Sequence, residues 1–183
     1  MLLTVVHANG SYYPSLGLNE LPCEMQARYH DRLSRLVCGH LLKKQPVAYL
    51  PYWVDPERTG IHHDVQMQAA ALAVDPFYQS LVPDFKPAVH VIPDGPELCM
   101  DFLDVISRDA KLDELAKSQK RVCFVGAYAG ACVITRAKSM LNRMDPIERP
   151  EIFVDPNYCV DISTAPVSRF RCNPVNLESY SIE

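Results

Sequence analysis

The chain has 183 residues, 48% of them hydrophobic, which suits one globular domain able to bury roughly 70% of the surface its unfolded chain exposes. Its formal net charge of −4 arises from interspersed acids and bases without a Lys/Arg run, so neither nucleic acid nor an anionic membrane is expected as a partner. The opening Met1-Leu-Leu-Thr-Val-Val-His7 lacks a basic n-region and is expected to be a first strand, not a signal peptide or a membrane span.

In chain order, Leu2 to Val6 is a continuous apolar run, the pattern of a strand covered on both faces. Glu20 to Lys44 carries Met25, Tyr29, Leu33, Leu36, Val37 and Leu41 at helical spacing, with Arg and Asp between them. Pro46-Val-Ala-Tyr-Leu-Pro51 reads as a second strand. The polar loop Trp53 to Asp64 is too long for a mere connector, and such loops line sites. Val65 to Leu72 predicts a helix, and Asp75-Pro76 interrupts the segment that runs on to Val82. Ala88 to Ile92 predicts a third strand. Glu97 to Ile106 and Ala110 to Ser118 predict helix, as one element broken around Ser107-Arg-Asp109. Arg121 to Tyr128 is a fourth strand, Gly130 to Arg143 a helix and Glu151 to Val154 a fifth strand.

Strand and helix alternate throughout, which predicts an α/β fold: a three-layer α/β/α domain over residues 1–165 with a mostly parallel, doubly wound, Rossmann-like sheet. Residues 166–183 are expected to be a tail that wraps this subunit or a neighbour. Ligands of such sheets bind at the carboxyl ends of strands, where His7, Trp53, Asp55, Asp94, Tyr128 to Cys132 and Asp155 fall.

Seven cysteines, Cys23, Cys38, Cys99, Cys123, Cys132, Cys159 and Cys172, form an odd set without a C-x-x-C pair or a metal-ligand rhythm. They read as reduced thiols, which places the protein in the cytoplasm. Cys132 differs from the others by its position. It falls in the first turn of a helix, after a strand and a turn bearing Gly126 and Gly130, where unpaired N–H groups and a partial positive charge favour a thiolate and can bind a negative oxygen. The alternative is that Cys132 is a small apolar residue packing helix on sheet.

The segment Gly126-Ala-Tyr-Ala-Gly-Ala-Cys132-Val133 resembles the nucleophile turn of the isochorismatase-like cysteine hydrolases, which include nicotinamidases and N-carbamoylsarcosine amidohydrolases. Other segments match in order. Leu2 to Tyr12 resembles the family's opening strand and Asp-x-Gln-x-Asp-Phe signature, Met100-Asp-Phe102 its Ser-Ala-Phe segment, and Ile152 to Pro156 its late strand.

The resemblance implies a small-molecule substrate, an amide or related compound, attacked by Cys132, with the backbone amides of Tyr128 and Cys132 binding the oxyanion and a cis bond at Ala127-Tyr128. The family's Asp and Lys are absent from the matching positions. His7 stands at the first, and the second falls near Asp94 to Pro96 without a lysine. His7 can take the proton of Cys132, and Asp94 can orient its ring. By the same match Asn9 replaces a glutamine, and Asn9, Tyr12 and Trp53 border the pocket, the two aromatics serving equally as partial core. Some nicotinamidases hold a divalent metal through an Asp and two His of the loop matching Asp55, His62 and His63. Here the adjacent histidines diverge and the tight Asp-x-His spacing is missing, so neither a metal nor any other cofactor is expected. Relatives often self-associate, which leaves a homo-oligomer open.

Two functions compete: a cysteine hydrolase, and a catalytically degenerate member that binds a ligand or a regulatory partner. A nucleotide-binding domain is weaker, since no Gly-rich phosphate loop follows the first strand. A base within reach of the Cys132 sulfur favours the enzyme.

Overall fold

The computed structural model describes residues 1–8, 23–52, 69, 72–94 and 102–160. Five strands, β1 (Leu2–Val6), β2 (Val47–Leu50), β3 (Val89–Val91), β4 (Arg121–Ala127) and β5 (Glu151–Val160), form one sheet in the order β3-β2-β1-β4-β5. Every neighbouring pair is parallel. The apolar runs explain this arrangement, because a strand covered by helices on both faces can be apolar throughout. β1 and β2 are buried along their whole length, and β4 from Val122 onward.

The helices are α1 (Cys23–Leu42), α2 (Pro76–Ser80), α3 (Phe102–Lys117) and α4 (Ile134–Arg143). The chain runs outward from β1 to β3, then returns to β4 beside β1. Right-handed crossovers therefore place α1 and α2 on one face and α3 and α4 on the other, giving the expected three layers. Contacts within each layer agree. Ser34 of α1 donates to the Ser80 carbonyl of α2 at 3.2 Å, and Arg143 of α4 pairs with Asp113 of α3 at 2.9 Å. Among the described residues no helix is long and apolar enough to cross a membrane.

Three sequence expectations are corrected. Asp75-Pro76 starts a helix instead of interrupting one. The Asp75 carboxylate accepts from the Tyr78 N–H at 2.7 Å and from the Tyr49 hydroxyl at 2.6 Å, while Pro76 supplies a preset φ to the first turn of α2. The break expected around Ser107-Arg-Asp109 does not occur. α3 is continuous, since no Gly or Pro interrupts it and both charges are neutralised within the fold. The fifth strand does not stop at Val154. It bulges between the pairings Phe124↔Val154 and Gly126↔Cys159 and continues to Val160. Asp155 consequently lies inside β5, where it accepts from the Asn157 N–H at 3.0 Å, and does not sit past a strand end.

Gly126 is required where β4 passes β1. Its φ is 126°, and a Cβ there would overlap the Val6 carbonyl oxygen. Of the helix expected at Val65 to Leu72, Ala69 and Leu72 are described and are helical; the rest of it, the whole loop Trp53 to Asp64, Met100-Asp101 and the tail 166–183 lie outside the described residues.

Candidate active site

The point where the strand order reverses lies between β1 and β4, and the carboxyl ends of those strands flank the crevice where ligands of such sheets bind. His7 ends β1. Its N–H donates to the Leu50 carbonyl at 2.8 Å, which keeps the backbone in the sheet for one residue more, and its φ of 43° is left-handed. Histidine enters that region more readily than most residues, yet it is uncommon for any non-glycine residue and turns the side chain out of the strand direction. The ring is 1% exposed and meets Tyr52 edge-on, with centroids 4.8 Å apart.

Asp94 arrives from the far side of the sheet. It bridges to Tyr52, its N–H donates to the Pro51 carbonyl at 3.2 Å, and its side chain is fully buried. Four contacts converge on the carboxylate: His7 Nε2 at 3.0 Å, Arg108 Nη1 at 2.8 Å, Arg136 Nε at 2.8 Å and Arg136 Nη2 at 2.9 Å. Arg108 comes from α3 and Arg136 from α4, so one carboxylate ties both helices of that layer to the end of β1. Arg108 also donates from Nε to Asp109 at 2.9 Å, and Asp109 pairs with Arg143 at 2.8 Å.

Burial alone would push the Asp94 carboxyl up. The hydrogen bond and charge of His7, then Arg136, overcome it and hold the group well below the usual carboxylate range. Asp94 is therefore a permanent anion. Burial likewise opposes charge on His7, but the hydrogen bond to Asp94 and the neighbouring Cys132 raise its pKa above the ordinary imidazole value. For Cys132 burial would raise the pKa, and His7, the Tyr128 backbone amide and Arg136 together lower it.

The imidazole and the thiol thus favour opposite charges on each other. Their contact is looser than a formed hydrogen bond, since His7 Nδ1 is buried without a partner at hydrogen-bonding geometry, yet it is close enough for each group to shift the other. Nε2 is held by Asp94, so Nδ1 is the nitrogen left for the thiol. An apo contact of this kind commonly tightens only when a substrate is bound.

Cys132 lies in a π-turn, Ala129–Val133, that leads into α4. This refines the expected first helical turn. Such turns recur at functional sites because the wide loop reorients one side chain. The Val133 N–H closes the turn on the Tyr128 carbonyl at 3.1 Å, while the Tyr128 N–H lies against the Cys132 sulfur. The Ala127-Tyr128 peptide is cis, as the resemblance implies.

The structure brings together His7, Asp94, Tyr128 and Cys132 of the expected site. Asn9, Tyr12, Trp53, Asp55, His62 and His63 lie outside the described residues, and among the described residues no group of three or more His, Cys, Asp or Glu could hold a metal ion. Sequence reasoning missed Arg108, Arg136 and Tyr52. A signal for the arginines existed: Arg136 follows Cys132 by four residues, and Arg108, Leu112 and Ala116 occupy one face at four-residue spacing and are all buried. No protein-family model matches this chain, and comparison with curated proteins finds no match.

Proposed function

We propose that the protein is a cysteine hydrolase of the isochorismatase-like kind, acting on a small amide or a related acyl compound. The observation that carries this reading is the buried Asp94–His7 hydrogen bond at 3.0 Å beside a thiol whose pKa is lowered. Cys132 Sγ attacks the carbonyl carbon while its proton passes to His7 Nδ1. The oxygen that gains the negative charge is met by the N–H groups of Tyr128 and Cys132. Collapse of this intermediate expels the amine, which takes the proton from His7, and leaves a thioester on Cys132. Water then attacks the thioester with His7 as base, releasing the acid and restoring the thiol. Asp94 stays ionised throughout and fixes the ring with Nε2 protonated, the tautomer that leaves Nδ1 free to accept.

The polarity is reversed relative to the family, with a cation where its Asp stands and an anion near its Lys. Nicotinamide and isochorismate are accordingly not expected as substrates, because proton inventory and field both differ, each worth about two to four powers of ten in rate. Cys38, Cys123, Cys132 and Cys159 are free thiols, which supports the cytoplasm as the compartment. The test is acylation by p-nitrophenyl acetate. A burst of p-nitrophenolate with one acetyl group on Cys132, absent in Cys132→Ala and slowed in His7→Ala, is the expected result. No acetylation of Cys132 in the wild-type protein overturns the reading and leaves a binding protein in its place.

A further inference from the structure

The hydroxyl oxygen of Tyr29 is buried and has no hydrogen-bond partner. Buried hydroxyls are rarely left so, and one without a partner calls for an explanation. Its position supplies one. Tyr29 packs on a small cluster formed by Ala127, Tyr128 and Val160, and Cys132 packs against the same cluster. One turn further along α1, Arg32 donates to the Asn157 carbonyl at 2.9 Å and lies over the Tyr158 ring at 5.6 Å, which seats this face of the helix on β5. Because α1 runs against the strands, Tyr29 is then carried one turn nearer the carboxyl edge of the sheet, where Cys132 and His7 stand.

We propose that Tyr29 is a substrate contact of the Cys132 site, donating its hydroxyl hydrogen bond to a polar acceptor on the acyl side of the substrate; this rests on the hydrolase reading above. Burial, then the neighbouring Cys159 and Tyr128, push the phenol well above its ordinary value, so the group is a neutral O–H at every working pH. It therefore acts as a donor and not as a base. The consequence is specificity. Acyl groups with an oxygen or nitrogen acceptor near the carbonyl complete the Tyr29 hydrogen bond, whereas purely aliphatic ones leave it unmade and gain nothing from it.

The experiment compares two p-nitrophenyl esters of nearly equal shape, methoxyacetate and butyrate, on the wild-type protein and on Tyr29→Phe. Both values are referred to the same enzyme, so intrinsic ester reactivity cancels between variants. The kcat/KM ratio of methoxyacetate to butyrate is expected to fall about three- to tenfold in Tyr29→Phe, the ordinary worth of one hydrogen bond. The thermal midpoint of the ligand-free variant should stay equal or rise, because the substitution removes a buried hydroxyl that has no partner. An unchanged ratio overturns the proposal, and so does a lowered midpoint, which would mean that the hydroxyl is bonded within the free fold. Wild-type protein that is acylated on Cys132 with an unchanged ratio sinks only the role of Tyr29, whereas absence of acylation sinks the hydrolase reading and this inference with it.

Discussion

Replacing Asp94 by Asn keeps the shape of the side chain and removes its charge. The carboxylate accepts four contacts between 2.8 and 3.0 Å from two guanidinium groups and one imidazole, all buried. An amide offers one acceptor oxygen, and its NH2 must point at donors. The loss is therefore that of breaking a buried ion pair from one side, about 3–5 kcal/mol, and not that of a surface pair, about 0–1 kcal/mol. At about 2–4 °C per kcal/mol for a domain of this size, the thermal midpoint should fall by about 6–20 °C. Urea unfolding at pH 7 measures the free-energy loss directly. The sign against pH gives a second check. The folded carboxyl lies well below its unfolded value of about 3.9, so its contribution is complete above that pH and is lost as pH falls through the folded value. The gap between wild type and Asp94→Asn should accordingly narrow in acid. A loss under about 1 kcal/mol at pH 7, or a gap that stays constant down to pH 3, would refute the buried cluster.

His7→Ala should move the alkylation profile of Cys132 with iodoacetamide to higher pH, because burial is then opposed only by the Tyr128 amide and Arg136; the rate at pH 7 should fall about tenfold or more, and an unmoved profile would leave the thiol tuned by the backbone and Arg136 alone. Gly126→Ala forces a Cβ into the Val6 carbonyl at a φ of 126° and should lower stability by about 2 kcal/mol or more, so a wild-type urea midpoint would contradict the close pass of β4 over β1. Burial pushes the Cys123 thiol up to about 12. This stabilises the fold below the unfolded value of about 8.5 and is lost as pH rises toward the folded value, by up to about 1.4 kcal/mol per pH unit, a slope that Cys123→Ala should remove from alkaline unfolding curves. Acylation of Cys132 should follow a bell in pH, its acid limb set by the thiol and its alkaline limb by His7; Asp94→Asn should draw the limbs together, and limbs that stay in place would separate Asp94 from the reacting pair.

The strands were legible because each is a short apolar run bounded by turn residues, and their alternation with helices was enough to give a parallel sheet and to put His7 and Cys132 at its carboxyl edge. The turn before Cys132 was legible for a related reason, as glycine at Gly126 has one physical reading beside a buried strand. Legibility failed where a charged residue serves the interior. Arg108 and Arg136 are buried on helices, and the Arg108 helix also carries the exposed charges Lys111, Glu114 and Lys117; periodicity treats any arginine as outward-facing. Only the partner decides the matter, and that partner, Asp94, is 14 residues from one arginine and 42 from the other in sequence. Asp155 failed in the opposite direction. Its aspartate-proline pair looks like a strand end, yet β5 absorbs the extra residues in a bulge and resumes pairing at Cys159.

The same partner explains why a histidine can stand at the end of β1. Burial disfavours both the imidazolium and the thiolate, so neither charged group would exist alone in this position. Passing the proton from Cys132 to His7 creates both at once and leaves the net charge of the site unchanged. Asp94 favours the imidazolium from one side, and Arg136 favours the thiolate from the other. Arg136 can do this because its own charge is already answered by Asp94, which leaves its field on the sulfur without requiring a second anion. The charge pattern is therefore a chain, Arg136 and Arg108 to Asp94 to His7 to Cys132, in which each link depends on the previous one. A lysine at Asp94 would break the chain, as it would set a cation against two guanidinium groups and against the imidazolium. A lysine at this position, as in the isochorismatase-like enzymes that the sequence resembles, is thus incompatible with the histidine present here, and the two differences from their pattern at His7 and Asp94 amount to one change in electrostatics.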